Sequence, residues 1–149
     1  GKEFLPEKPN FYKNKSKGFY MAIQANDFVI SRNIDNEFLI TIKKQQTLVA
    51  ITIDPSDTFV INFINLNTDS IEHTIDMDNQ NANGYIEIAN AINGQINLVL
   101  KKDFISTLSK ERGPKEDRYY LKPTYSILIE CNTLADGKFY SKIPEVYID

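Results

Sequence analysis

The 149 residues carry 17 basic and 20 acidic side chains, a net charge of −3, with 42% hydrophobic and 25% charged residues. That length suits one domain and that apolar fraction supports a buried core, which excludes an intrinsically disordered chain. The negative balance argues against a general nucleic-acid surface, which needs a positive field to attract phosphates, and no apolar run approaches the ~20 residues of a membrane-spanning helix.

The chain opens Gly1-Lys2-Glu3 without an initiator Met, as a chain trimmed of a leader would. Residues 1–17 (GKEFLPEKPNFYKNKSK) are rich in Lys, Asn and Pro, the composition of a tether between an anchor and a folded body. They predict a tether over 1–17, a single domain over 18–149, and export to the periplasm or cell surface.

From residue 18 the dominant signal is period two, in short runs of Ile, Val, Phe, Tyr and Thr broken by Asn, Asp and Gly. Gly18–Gln24 reads as a first strand with a continuation through Phe28–Ile30. Glu37–Lys43 places Phe38, Ile40 and Ile42 on one face. Lys43-Lys44-Gln45-Gln46 then turns the chain into a strand carrying Val49, Ile51 and Ile53. Pro55 separates that run from Thr58–Leu66, where Phe59, Ile61 and Phe63 share a face. These three runs are expected to form a meander.

Ile71–Met77 is expected to carry Ile71, His73, Ile75 and Met77 on one side. Tyr85–Ile92 and Gln95–Lys101 flank Asn93-Gly94, the signature of a type I′ hairpin, which would set Ala91 opposite Ile96 and Ala89 opposite Leu98. A short helix over Glu87–Ile92 is the less favoured alternative. One helix is predicted near 103–112, capped by Asp103, with Phe104 and Leu108 a turn apart and Gly113-Pro114 as its stop. Residues 110–117 (KERGPKED) would be a charged loop.

A last hairpin spans Tyr119–Thr133 and Lys138–Ile148 around Asp136-Gly137. A strict two-residue loop would set Glu130 against Ile143, so a longer loop or a bulge is expected. Pro123 and Pro144 point to an edge or a bend. The fold class is therefore all-β, an antiparallel β-sandwich of about eight or nine strands, immunoglobulin-like only in the loose sense. With no Trp and one Cys, the disulfide and packed Trp of an antibody domain are absent.

Asp76 to Glu87 (DMDNQNANGYIE) puts acids at positions 1, 3 and 12 of an EF-hand-like count, making Asp76, Asp78 and Glu87 calcium candidates. Position 6, however, is Asn81 where the sharp turn requires Gly, and strands flank the segment. His73 is the one histidine, so copper fails on ligand count and a hydrolytic triad would rest on a residue at strand spacing. Cys131 follows Ile127 and Ile129 at alternate positions and reads as a buried apolar residue. Glu37, Glu87 and Glu130 lie in strands with nothing to mark a catalytic pair. Tyr119, Tyr120 and Tyr125 are candidates for an exposed ligand-binding patch, since tyrosine offers rigid amphipathic contact area. No cofactor is implied.

The Lys/Asn/Pro tether, the Asn- and Ile-rich strands and the closing segment YYLKPTYSILIECNTLADGKFYSKIPEVYID resemble exported β-sandwich lipoproteins of gut bacteria. The resemblance implies a lipid anchor upstream of Gly1 and no assigned activity. The leading expectation is a non-catalytic binding or assembly module of the cell envelope, recognising a protein or glycan through loops or a sheet edge. Two alternatives stand beside it: an ion or small-ligand binder using the Asp76–Glu87 loop, and a hydrolase with dispersed carboxylates.

Overall fold

The computed structural model describes residues 20–23, 27–80, 82–109, 112–115, 118–133 and 137–149. The predicted tether over 1–17 lies outside them. Eleven strands are formed among the described residues: β1 (Tyr20–Ile23), β2 (Phe28–Ile30), β3 (Asn36–Lys44), β4 (Thr58–Asn65), β5 (Ser70–Asp76), β6 (Gly84–Asn90), β7 (Gln95–Leu100), β8 (Arg112–Lys115), β9 (Arg118–Leu121), β10 (Tyr125–Thr133) and β11 (Gly137–Ile148). Nine of them build two sheets, ordered β1-β3-β7-β6 and β2-β11-β10-β4-β5, while β8 and β9 pair as a separate ribbon. All pairings are antiparallel except that of β2 with β11.

The alternating residues supply the core between the sheets. Phe38, Ile40 and Ile42 of β3 face Phe59, Ile61 and Phe63 of β4 and Ile127 and Ile129 of β10 across one buried cluster. In β3 the inward residues alternate with exposed or half-buried neighbours, whereas in β10 Ser126 and Leu128 are buried beside Ile127 and Ile129; removing the inward apolar area from water, at roughly 1.5–3 kcal/mol per side chain, favours this register. The chain is an all-β sandwich, as its patterning predicts.

Three local expectations are corrected. The run at Val49–Ile53 is not a strand. Leu48 adopts positive φ (59°), and beyond it only Ala50 bridges Lys43. Ile51 and Ile53 are buried and bond Ile42 and Ala91 through their amides, but Val49 is exposed. The chain then crosses to the second sheet, so β3 and β4 lie in different sheets and form no meander. The crossing is shaped by Asp54, whose Oδ1 accepts from Ser56 N and Oγ, and by Asp57, whose Oδ2 accepts from Asp54 N.

The helix predicted near 103–112 is one turn, α1 (Lys102–Ile105), and Lys101 rather than Asp103 stands at its N-cap. The first free amide, Lys102 N, is bonded instead by the distant Asp35 Oδ1 (2.8 Å). Ser106 and Thr107 hydroxyls then bond back to Asp103 O and Phe104 O, competing with helix propagation. Gly113 and Pro114 lie in β8, paired with Tyr120 and Tyr119, and do not terminate a helix.

The Asn93-Gly94 hairpin forms, but with a four-residue connection and a bulge. Ile88 pairs with Ile96 and Asn90 with Gln95, leaving Ala89 as the extra residue in place of the predicted Ala91–Ile96 pair. Of the two turn residues only Gly94 takes positive φ (65°), so the turn is not type I′. In the last hairpin Thr133 pairs with Gly137, and a bulge falls between Ile143 and Val146. Pro144 sits inside that bulge, where a missing N–H is tolerated. The predicted longer loop and bend are both present.

Gly84 begins β6 where a Cβ would collide with the Val99 carbonyl oxygen of the neighbouring strand. Gly84→Ala should therefore lower unfolding free energy by about 3 kcal/mol through overpacking, measurable by urea titration with an unchanged slope.

Candidate functional site at the β5 edge

β5 pairs with β4 from Val60↔Asp76 to Phe63↔His73, then resumes at Ile64↔Ile71, so Glu72 is an extra, bulged residue. The bulge reverses the phase of the strand. Ile75 stays in the core, whereas Ile71 is turned out and is 56% exposed, correcting the expectation that both share a face with His73. Glu72 is turned toward the end of the sandwich, where it accepts from Asn65 Nδ2 (2.8 Å) and from the Tyr125 hydroxyl (2.9 Å). The same hydroxyl accepts from Ser109 N (2.9 Å).

Local sequence chemistry holds this arrangement. Asn65 Oδ1 accepts from Asn67 N and Thr68 N, an Asx turn that closes the β4–β5 connection. Asp69, a residue that tolerates the left-handed region, completes it at φ 57°. The His73 ring lies edge-on to Phe63, Phe104 and Tyr125, with centroids 6.5, 5.0 and 6.5 Å away. α1 thus packs its Phe104 over the strand end that carries Glu72 and His73.

The cluster is held together by the hydrogen bonds of the Tyr125 hydroxyl, Glu72, Asn65 and Ser109 N. Burial pushes the Tyr125 phenol above its usual range, and the neighbouring Glu72 adds to this while the Ser109 bonds oppose it. The hydroxyl is a fixed donor. No hydrogen bond to the His73 imidazole is formed by the described residues, so the histidine lacks the hydroxyl or thiol partner that triad chemistry requires. Burial also drives the Cys131 thiol up to about 12, with Asp57 adding to the shift, which keeps it protonated and inert.

The candidate residues fall in separate places. Tyr125 is fully buried, which overturns its role in an exposed tyrosine patch: it begins β10 opposite Asn65 and faces the core. Tyr119 and Tyr120 lie in β9, and their side chains fall outside the described residues. In the calcium candidate loop, Asp76 Oδ1 accepts from Asp78 N across a 3-10 turn, Met77–Asn79. Gln80 bonds both the amide and the carbonyl of Ile86, and Glu87 is exposed on β6. Among the described residues no group of three or more His, Cys, Asp or Glu side chains converges. Glu37 and Glu87 stand on the first sheet, apart from Glu130 on the second, which pairs with Lys138 at 3.5 Å.

Sequence reasoning missed Glu72, Asn65 and Ser109. The one available signal was Glu72-His73, two polar residues side by side in an alternating strand, which is how a bulge reads in sequence.

The edges differ in how they are protected. β1 lies against β11, with Tyr20 stacked on Phe139 at 4.3 Å. β2 is only three residues long. The β6 edge is occupied at Ile86 by the Gln80 amide, which imitates a neighbouring peptide group. β5 is a seven-residue edge with Ser70, Ile71, Glu72 and Thr74 exposed.

Tyr125→Phe keeps the ring but leaves Ser109 N and Glu72 short of a partner, and should cost about 1–2 kcal/mol of stability by thermal or urea unfolding. The high Cys131 pKa means the native chain holds a proton that the unfolded chain releases in alkali. Its contribution is complete below about 9 and is lost as pH rises toward about 12, at about 1.4 kcal/mol per pH unit. Cys131→Ala should flatten that slope in urea titrations run across this range. Added Ca²⁺ should leave the melting temperature unchanged, because Asp76 and Gln80 are already engaged by backbone groups.

Among known proteins, no family model matches this chain and no curated sequence is similar to it.

Proposed function

We propose that the chain is a non-catalytic binding or assembly module of the cell envelope, engaging an extended protein segment along the β5 edge. The observation that carries this reading is the contrast between its two seven-residue edges. β6 is capped at Ile86 by Gln80, whereas β5 presents exposed Ser70, Ile71, Glu72 and Thr74. An added strand draws affinity from main-chain hydrogen bonds and selectivity from alternate side chains. His73–Asp76 pairs with β4 in regular register and offers a straight segment for this purpose, while the Glu72 bulge ends it and limits indiscriminate stacking of edges.

The Tyr125–Glu72–Asn65 bonds support the reading because they hold the bulge in one geometry before any partner arrives, which lowers the ordering cost of binding. The Lys-, Asn- and Pro-rich composition of residues 1–17, that of a tether, supports a place for this module outside the cytosol.

A displayed library of extended peptides, selected against the full chain and followed by amide hydrogen exchange, tests the proposal. Peptides should slow exchange in β5, and Ile71→Lys with Thr74→Lys should weaken them at least about tenfold while stability stays within about 0.5 kcal/mol. Binders that leave β5 exchange unchanged, including glycans held by the loops, would refute the edge assignment.

A further inference from the structure

Charge is segregated along this chain. Residues 45–100 contain no Lys or Arg, whereas seven acids fall among them, so all 17 bases lie in residues 1–44 and 101–149. The base-free stretch folds into β4, β5, β6 and β7, and the strand orders place β5 and β6 at one lateral side of the sandwich. The two edges meet there, since a Cβ on Gly84 of β6 would lie 3.3 Å from Ile75 Cδ1 of β5. Lys43, Lys44, Lys138 and Lys142 stand on β3 and β11, next to the opposite edges.

An edge strand is ordinarily guarded by Lys, by Pro or by being short. The seven residues of β5 (SIEHTID) include neither Lys nor Pro, and the Glu72 bulge interrupts only one end. Along the straight part, Thr74 and Asp76 share the outer face, in register with Asn62 and Val60 of β4. Asp78 follows in the 3-10 turn.

The acids of this region differ in what already holds them. Glu72 has both carboxylate oxygens engaged, by Asn65 and by Tyr125. Glu130, in register with Val60 on β10, holds Lys138 at 3.5 Å. Lys101, which follows β7, is held by Asp35 at 3.7 Å and lies over the Tyr85 ring. Asp76 accepts only the Asp78 amide, and among the described residues no cation pairs with Asp76 or Asp78. Their charge is left facing the open edge.

From this segregation we infer that the segment taken up by the β5 edge is basic: an extended protein strand with Lys or Arg at alternate positions, set beside Asp76 and Asp78. The inference rests on the β5-edge reading above and adds the charge of its partner. Side chains of an added strand alternate between its faces, so every second residue stands on the outer face that carries Asp76. A cation there meets an uncompensated carboxylate in addition to the main-chain bonds, which steers encounter and fixes register. A second copy of β5 would bring acids against acids with no Lys or Arg on either strand, and like charge disfavours that pairing.

Peptides of one length, alternating Thr with Lys, Thr with Gln or Thr with Glu, test the inference against the full chain. By fluorescence anisotropy the Thr-Lys peptide should bind at least about tenfold more tightly than the Thr-Gln peptide, an advantage that fades as salt approaches about 0.5 M. The Thr-Glu peptide should be the weakest. Amide exchange in β5 should slow on binding. Asp76→Asn with Asp78→Asn should remove the Thr-Lys advantage; Asn retains an Oδ1 to accept from residue 78 N, so the melting temperature should not fall. Glu87→Gln, exposed on the other sheet, should leave the advantage in place. Three peptides that slow β5 exchange with equal affinity would overturn the basic partner and leave the edge reading standing. A Thr-Lys peptide that binds without slowing β5 exchange would overturn both. Failure of the Thr-Lys peptide to bind, or an advantage lost in Glu87→Gln and kept in the Asp76 and Asp78 variant, would also overturn the inference.

Discussion

Side-chain alternation governs this molecule, because each main sheet buries one face against the other and a shift of one residue would exchange every inward side chain for its neighbour. The inward rows of β3, β4, β7 and β10 obey it without interruption and form the cluster around Ile40, Ile61, Leu98 and Ile129. Where the chain has to leave that phase it does so by inserting a residue. Glu72 in β5, Ala89 in β6 and the Pro144-Glu145 step in β11 are the three such places in the two sheets. Each lies at an edge strand or beside a proline, where a lost ladder bond costs least.

The bulge at Glu72 has the widest consequences. It brings a carboxylate to the phenol of Tyr125 and the amide of Asn65, and those bonds tie together β4, β5, β10 and the segment after α1. A buried Tyr hydroxyl without partners would be costly, and here it both donates and accepts. The same step turns Ile71 outward, so one inserted residue both satisfies the end of the core and decorates the exposed edge. His73, packed edge-on among three aromatic rings, acts as part of that wall and has no reactive partner among the described residues.

Polar side chains elsewhere stand in for backbone. Gln80 occupies the β6 edge at Ile86, Asp35 caps the first amide of α1 from a distant loop, and Asp54 and Asp57 close the crossing between sheets. Each substitutes a side-chain oxygen or amide for a missing peptide neighbour. The exposed features that remain, the β5 edge and the Leu48 and Ile92 turns, are those that no such device covers.

By itself the sequence determined the all-β class, most strand positions, the buried state of Cys131 and the departure from a two-residue loop near Asp136-Gly137, because all of these follow from period-two patterning and turn residues acting locally. It did not determine where phase breaks, and the bulge at Glu72 is what turns Ile71 outward; Tyr125 is buried in the same phase as Ile127 and Ile129, and Val49 is turned out of a strand by the positive φ of Leu48. A bulge depends on what the neighbouring strand offers: Phe63 and Ile64 set the step at Glu72, and Asn65 and Tyr125 receive the displaced carboxylate. The start of α1 was likewise decided at a distance, by Asp35, and residues 112–115 were taken from it by the pairing of β8 with β9. Which edge is open, and which side chains share an end, are relations between segments far apart in the chain, and only the folded structure brings them together.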